Sequence, residues 1–191
     1  MTSDDAVPTG TAKRARRHDP GRRDRLIQAT LDVIAEQGVA GATHRSIARA
    51  ADVPLGSTTY HFASIDELLA EAFTRHAESI AGMFDDRMRT APDREAAIEA
   101  VVQHVSGDLL GSNRDLVLTV ELYVVAARKP ALRTVTQDWM LRSRRALERH
   151  FSPTTARELD ALVEGLVLHT ALSTDPMTAD GIRHAIRRFT G

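Results

Sequence analysis

Apolar residues recur along most of the chain at the three- and four-residue spacing of α-helices, and no stretch alternates as a β-strand would. Gly, Pro, Ser and Asn separate the apolar stretches and mark the turns. The pattern predicts longer helices over residues 22–37, 65–90, 92–110, 114–129, 131–151, 155–172 and 178–189. Gly38 is expected to end the first of them. With two short helices between residues 43 and 62, this predicts an all-α protein of about nine or ten helices.

Residues 43–69 contain the two short helices and a tight turn between them. Ile47, Ala48 and Ala51 give the first helix an inward apolar stripe, and Thr43 stands where an N-cap residue is needed. Pro54 is suited to open the second helix, which is expected to end near residue 62. Because so short a helix is marginal alone, packing has to hold it. The pattern favours a helix-turn-helix, although an ordinary helical hairpin within an all-α core is the alternative.

The second short helix is expected to present a polar side without carboxylates. Hydroxyls and free N–H groups at a helix N-terminus bind phosphate, and small side chains let a helix enter the major groove of DNA. The candidate DNA contacts, all polar and all expected to point outward, are Thr43, Arg45, Ser57, Thr58, Thr59, Tyr60 and His61. We expect Ser57, Thr58 and Thr59 at base edges and the others at phosphates, with Arg45 suited to either.

Basic charge collects around this stretch. Residues 13–50 hold nine Lys and Arg against four acids, whereas residues 63–191 hold sixteen against nineteen. This asymmetry is expected of a nucleic-acid footprint beside a nearly neutral body. Residues 1–20 are predicted to form a flexible basic arm, either a solvated tail or a segment that lies along DNA.

Residues 22–69, about a quarter of the chain, resemble the DNA-binding domain of the TetR family of bacterial transcriptional repressors. The resemblance is carried by residues 25–31, residues 34–38, Ala42-Thr43, Ile47-Ala48, Ala51-Asp52-Val53, Gly56-Ser57, Tyr60-His61-Phe62 and Leu68-Leu69. Two positions depart from the family pattern: Thr59 stands where the family usually has a tyrosine, and Ile65 where it often has a lysine. The resemblance implies a helix-turn-helix DNA-binding domain over 21–68 and a helical effector-binding and dimerisation domain over 69–191.

The helices predicted over 131–151 and 155–172 are more apolar than one small domain needs. The alternative to a snug monomer core is a homodimer, in which these helices from two chains form the four-helix bundle that the resemblance implies. Paired helix-turn-helix units also read two half-sites, since one short helix contacts few base pairs. The candidate interface residues, all apolar and on the second of these helices, are Leu159, Leu162, Val163, Leu166 and Val167.

Several polar or aromatic residues lie within apolar helices and are candidates for a ligand pocket: His104, Glu121, Tyr123, Trp139 and His169. Glu121 stands between two apolar residues and must find a partner if it is buried. Arg128 or another arginine could supply that partner, and the histidines could equally be satisfied or exposed. The resemblance implies a small-molecule effector that lowers DNA affinity, and the apolar helices favour a largely apolar or aromatic one.

The sequence argues against several other classes. It has no cysteine, no phosphate-binding loop and no HExxH or GxSxG motif, and no Glu-x-x-His pair for a di-iron site. We therefore predict no catalytic residue, no metal site and no cofactor. No stretch approaches the length of a membrane span or a signal core, which predicts a cytoplasmic protein without membrane contact. A helical protein–protein adaptor and a DNA-binding regulator without a ligand remain alternatives to the effector-responsive homodimeric repressor of operator DNA.

Overall fold

The computed structural model describes residues 21–190, and within that range it contains nine α-helices and no strand. They are α1 Arg22–Gly41, α2 His44–Ala50, α3 Gly56–His61, α4 Ile65–Thr90, α5 Arg94–Gln103, α6 Asn113–Arg128, α7 Arg133–Leu147, α8 Pro153–Leu172 and α9 Ala179–Thr190. A π-helical segment, His104–Leu109, continues α5, and a 3₁₀ turn, Pro130–Leu132, precedes α7. The predicted all-α class is confirmed. The arm predicted over 1–20 lies outside the described residues.

Side-chain caps set where most of these helices begin. Ser64 accepts from the backbone N–H of Glu67, while the Glu67 carboxylate accepts from the N–H of Ala63 at 2.6 Å rather than from Ser64 itself. Ser112 and Ser152 cap α6 and α8 in the same way. Short-range hydrogen bonds therefore define these starts, so a reader of the sequence can place them to within a residue or two.

Gly38 changes the direction of α1 near its end. Its backbone has φ 69° and ψ 174°, a left-handed, non-helical conformation that glycine adopts without steric cost. The predicted stop is therefore where the backbone leaves the helix, and one further turn follows as far as Gly41. The backbone N–H of Val39, freed by this kink, is available to a partner outside the helix.

Two helices join the N-terminal part of the fold to the rest. The long α4 packs against α1 at one end and along α7 at the other, and α6 also packs against α1. One continuous apolar core runs from Leu26 to Ile186, and the predicted domain boundary at residue 68 falls inside α4. No helix between residues 21 and 190 is long and apolar enough to cross a membrane. A displacement of α4 or α6 would therefore move residues in both the N-terminal and the C-terminal part of the fold.

Candidate DNA-binding surface and ligand pocket

The start of α2 is closed by a reciprocal capping box. Thr43 Oγ1 accepts from the N–H of Ser46 at 3.1 Å, and Ser46 Oγ accepts from the N–H of Thr43 at 2.9 Å. The predicted N-cap at Thr43 is thus confirmed. Ser46 completes the box, and its position three residues after the cap is the signal that could have identified it.

A tight turn then brings α3 across α2. Asp52 takes the left-handed conformation with φ 50°, which Asp tolerates better than most residues. The N–H of Val53 donates to the carbonyl of Ala48 at 3.0 Å, and Ala51 is buried at the crossing. α3 itself begins at Gly56, two residues later than Pro54, because the chain first makes a turn in which the N–H of Ser57 donates to the carbonyl of Pro54.

Phe62 anchors the end of α3 in the core. Its side chain is 1% exposed, and the guanidinium of Arg23 on α1 lies 5.0 Å from the centre of its ring. Arg23 also pairs with Glu71 on α4. These contacts fix α3 against α1 and α4, so that its outer side has a defined orientation.

The outer side of α3 differs from the expectation at two positions. Thr58 is fully buried and its hydroxyl donates to the carbonyl of Leu55 at 2.8 Å, and Ser57 is buried as well. The prediction that both point outward was therefore wrong. Thr58 lies four residues before Phe62, on the same inward face of the helix, and that spacing could have shown it.

Exposed polar residues nevertheless cover the outer side of the α2–α3 unit. Tyr60 is 80% exposed, with its ring edge-on to that of half-buried His61 at 5.0 Å, and Thr59 is exposed beside them. Arg45 on α2 is exposed, as is Arg49, a second cation that the sequence reasoning did not select. The unit can therefore offer hydroxyls, an imidazole and cations to an anionic partner.

A second polar region lies inside the C-terminal part. A cavity of about 20 Å³, room for about one water molecule, lies between α4, the π-helical segment, α7 and α8. Phe84, His104 and Trp139 provide its aromatic walls, and Asp160 and Glu164 of α8 provide two carboxylates. Within residues 21–190 no group of three His, Asp or Glu side chains is placed to hold a metal ion.

Tyr123 and Glu164 form the main polar contact at this cavity. Tyr123 Oη donates to Glu164 Oε1 at 2.7 Å, and the ring of Tyr123 stacks on Trp139 with centroids 6.2 Å apart. Burial raises the pKa of Glu164, against the hydrogen bond from Tyr123, and the nearby Asp160 raises it further. Burial likewise raises the pKa of Asp160, although Arg144 Nε donates to it at 3.0 Å.

His104 is already engaged at the edge of the cavity. Its ring stacks on Phe84 at 4.4 Å, and its Nδ1 lies 3.0 Å from Asp108 Oδ2. Arg87 donates two hydrogen bonds of 2.7 Å to the same carboxylate. Burial alone would raise the pKa of Asp108, but the hydrogen bonds from His104 and Arg87 outweigh it and hold that pKa well below its usual range.

The structure brings His104, Tyr123 and Trp139 together but places Glu121 and His169 elsewhere. Glu121 Oε2 accepts from the N–H of Val39 at 3.1 Å, beside the kink of α1, so its partner is backbone and not the expected arginine. His169 is exposed on α8. Glu164, which the sequence reasoning missed, meets the criterion that selected Glu121, since it also stands in an apolar helix.

The candidate dimer residues lie mostly on the side of α8 that faces the core of their own chain. Four of the five are buried in the core of their own chain, and Leu162 is partly buried. A side chain that is already buried has little area to give to an interface, so the prediction chose the inward stripe of the helix. The outward stripe at helical spacing consists of Ala161, Gly165, Leu168 and Leu172, of which Leu172 is 75% exposed.

A shallow groove of about 120 Å³ lies between α4 and α7, outside the inner cavity. Its polar lining includes Glu78, Asp138 and Arg142, and Arg142 lies 3.3 Å from Glu78 across it. Trp139 lines both this groove and the inner cavity. Trp139 is therefore the residue at which the outer groove and the inner cavity meet.

The chain matches known proteins along almost its whole length. Residues 26–72 match the family described as bacterial regulatory proteins of the TetR family, and residues 92–191 match the tetracycline repressor-like C-terminal domain. PksA of Bacillus subtilis strain 168, an HTH-type transcriptional regulator, is 27% identical over 180 residues, which cover 86% of each chain.

Solved structures show the same relationship. SCO7518 of Streptomyces coelicolor A3(2), whose description is that of a transcriptional regulator, is 53% identical with a TM-score of 0.86, over 90% of this chain and 99% of its own. EbrR, a multidrug-binding protein solved with ethidium, is 38% identical with a TM-score of 0.78, over 90% of this chain and 99% of its own. The chain belongs to the TetR family of bacterial transcriptional regulators.

Proposed function

We propose that this DNA-binding regulator is a cytoplasmic homodimeric repressor that a small-molecule effector releases from its operator. The observation that carries the proposal is the α2–α3 unit: Phe62 and the capping box of α2 fix its inner side, and its outer side is polar and free of carboxylates on α3. A helix so held, with small residues at its start, suits the major groove. We place Thr59 in that groove, Thr43, Tyr60 and His61 at phosphates, and Arg45 at a base or a phosphate.

DNA binding is tested by titrating the protein against its own upstream intergenic DNA and a scrambled control at two salt concentrations. We expect tight, sequence-dependent binding with two chains per site, and a weaker, salt-sensitive background on the scrambled DNA. Arg45→Ala should weaken operator binding by roughly tenfold, within the 1–3 kcal/mol of a base or phosphate contact. Arg157→Ala, at an exposed arginine of α8, is the matched control. Equal operator binding by wild type and Arg45→Ala would remove Arg45 from the proposal.

The dimer is proposed to form through the outward stripe of α8. Gly165 has open space where a side chain would stand, which lets a second helix approach closely, and Leu168 and Leu172 add apolar surface. Leu168→Glu should shift the protein to monomers in light scattering. Val124→Glu, at a valine of α6 that is 45% exposed, should leave the dimer intact. A dimer that survives Leu168→Glu would move the interface to another face.

The effector is proposed to bind among α4, α6, α7 and α8. The inner cavity supports this, as does EbrR, whose crystal structures hold ethidium, proflavin and malachite green. The cavity has room for about one water molecule. A ligand as large as these dyes must therefore move the surrounding helices. A ligand that prefers the opened arrangement would shift α4 and α6 and lower DNA affinity by its preference for that state.

Two alternatives give different results in the same experiments. A regulator without an effector would bind its operator tightly and keep that affinity in the presence of every compound tested. A helical adaptor would show no sequence-dependent DNA binding even after selection from genomic fragments. The polar outer side of the α2–α3 unit favours the regulator over the adaptor, which would need an exposed apolar groove.

A further inference from the structure

The inner cavity contains a partly buried carboxylate, that of Glu164, which has no cationic partner in the described part of the chain. Glu164 is bound by the hydroxyl of Tyr123, a neutral group, whereas its neighbour Asp160 is bound by Arg144. Of these two carboxylates, one helical turn apart, only that of Asp160 is therefore paired with an arginine. An ionised carboxylate in such surroundings is costly unless a positive charge joins it, so a cation that enters the cavity would stabilise the ionised form of Glu164.

The walls of the cavity suit a flat, positively charged partner. Trp139 stacks with Tyr123, and Phe84 stacks with His104, so aromatic faces lie near the carboxylates. Aromatic faces attract cations and do so more strongly when water is excluded. The other positive groups nearby are occupied, because Asp108 binds both His104 and Arg87.

The outer groove, at the surface, also has acidic side chains next to Trp139. Glu78 and Asp138 line it beside Arg142, so acids outnumber bases at the entrance as well. Trp139, 6% exposed, is the side chain that this groove and the inner cavity share. Rotation of its indole would join the groove to the cavity and give a planar ligand the space that the closed cavity lacks.

We infer that this site binds an aromatic cation, which displaces Trp139 from between the groove and the cavity and pairs with the carboxylate of Glu164. The inference rests on the proposed effector-responsive function and adds the charge of the ligand, the residue that selects it and the side chain that admits it. A neutral molecule of the same shape gains the aromatic contacts but leaves Glu164 without a counter-charge, so it binds more weakly.

The test compares two tricyclic probes of the same shape at pH 8, without DNA. Proflavin is a cation at this pH, whereas acridine is neutral. Trp139 is the only tryptophan of the chain, so its emission reports directly on the site, and fluorescence anisotropy of proflavin gives its Kd. Glu164→Gln removes the charge but keeps an acceptor for Tyr123, and Glu158→Gln is a control at an exposed position of the same helix.

We expect proflavin to quench Trp139 in the wild type and in Glu158→Gln with equal Kd. Glu164→Gln should weaken proflavin binding at least roughly tenfold, as expected when one partner of a buried charge pair is removed, and should change acridine binding less than about twofold. A purely structural role of Glu164 would weaken both probes alike. Equal proflavin binding by Glu164→Gln and wild type, or no quenching by proflavin in the wild type, overturns the inference.

Operator binding without any dye separates this inference from the proposed function. If the wild type shows no sequence-dependent DNA binding, the proposed regulatory function is refuted, but the proposed cation site is not. A wild type that binds its operator but not proflavin refutes the cation site and leaves the regulator intact.

Discussion

The α2–α3 unit and the inner cavity use polar residues in opposite ways. In the α2–α3 unit and at the adjoining start of α4, polar side chains form hydrogen bonds with groups three or four positions away. Thr43 does so with Ser46, and Ser64 with Glu67. At the cavity, the partners of the two α8 carboxylates are further away in sequence: Tyr123 and Glu164 are separated by 41 positions, and Arg144 and Asp160 by 16. Hydrogen bonds between near neighbours in sequence shape a surface that stays exposed. Pairing between residues far apart in sequence takes charged groups away from water, so the geometry of the cavity depends on how the whole core packs.

The largest expected effect comes from Phe62, a non-local anchor of the α2–α3 unit. Phe62→Ala removes a buried ring together with its contact to Arg23, and we expect a loss of about 3–5 kcal/mol in the free energy of unfolding. Tyr60→Ala, at the exposed neighbouring residue, should change stability by less than about 0.5 kcal/mol. Urea unfolding measures both. Similar losses in the two variants would show that the buried ring of Phe62 is not what holds α3.

The next effect comes from a buried histidine beside the cavity. His76 is buried, contacts Thr119 at 3.1 Å and lies edge-on to Trp139, and burial lowers its pKa from 6.5 to about 4 against the opposing charge of Asp115. Because the folded-state pKa lies below the unfolded one, the unfolded chain takes up the proton first as pH falls. His76 therefore costs no stability above pH 6.5, and stability is lost progressively between pH 6.5 and about 4.

That loss is measurable by urea unfolding at two pH values. Between about pH 7.5 and pH 5, the wild type should lose roughly 2 kcal/mol more than His76→Gln, which keeps an amide near Thr119 but does not titrate. His169→Gln, at an exposed histidine, should retain the full pH dependence of the wild type. If His76→Gln loses stability with acid as steeply as the wild type does, the buried imidazole is not the cause.

The same contrast explains how much could be predicted from the sequence. Thr43, Ser64 and Gly38 act on their own neighbours, so their roles follow from short sequence patterns. Thr58 shows where that reasoning failed, because the identity of a small polar residue does not tell whether it faces the core. Thr58 is buried because it lies one helical turn before Phe62, on the same face of α3, and its hydroxyl group does not change this.

At the cavity, sequence patterns identified types of residue but not their partners. Glu121 and Glu164 both stand in apolar helices, yet one bonds to the kink of α1 and the other to Tyr123. Only the packing of α6 against α1 and the placing of α8 distinguish them, and neither is encoded within a local window. The candidate interface residues of α8 likewise lie on its inward stripe, because apolar spacing alone does not say whether the same chain or a second one covers it.

A moderate effect is expected at the cap of α2. Thr43→Ala removes the acceptor for the N–H of Ser46 and should cost about 1 kcal/mol, whereas Thr43→Ser keeps the hydroxyl and should cost a few tenths at most. Urea unfolding compares the two. Hydrogen exchange should show faster opening in α2 of the alanine variant and no change around the cavity. Exchange that accelerates equally in α7 and α8 would mean that the cap is coupled to the core.

The smallest expected effect on stability tests whether the two regions communicate through α6. Glu121 lies two residues from Tyr123, so one helix carries both the contact to Val39 on α1 and the contact to Glu164 on α8. Glu121→Gln keeps a carbonyl acceptor for the N–H of Val39 and should change the free energy of unfolding by a few tenths of a kcal/mol. Glu121→Ala leaves that N–H without its partner and should cost about 1 kcal/mol.

Operator binding with and without proflavin decides what the Glu121 contact does. If it carries the displacement of α6 to the DNA-binding unit, Glu121→Ala binds operator and proflavin as the wild type does, but proflavin lowers its DNA affinity less. Glu121→Gln, with its acceptor intact, keeps the wild-type response. An unchanged response in Glu121→Ala would assign the coupling to α4, the other helix that spans both regions. Because affinity for each ligand is measured separately, lost coupling is distinguishable from lost binding.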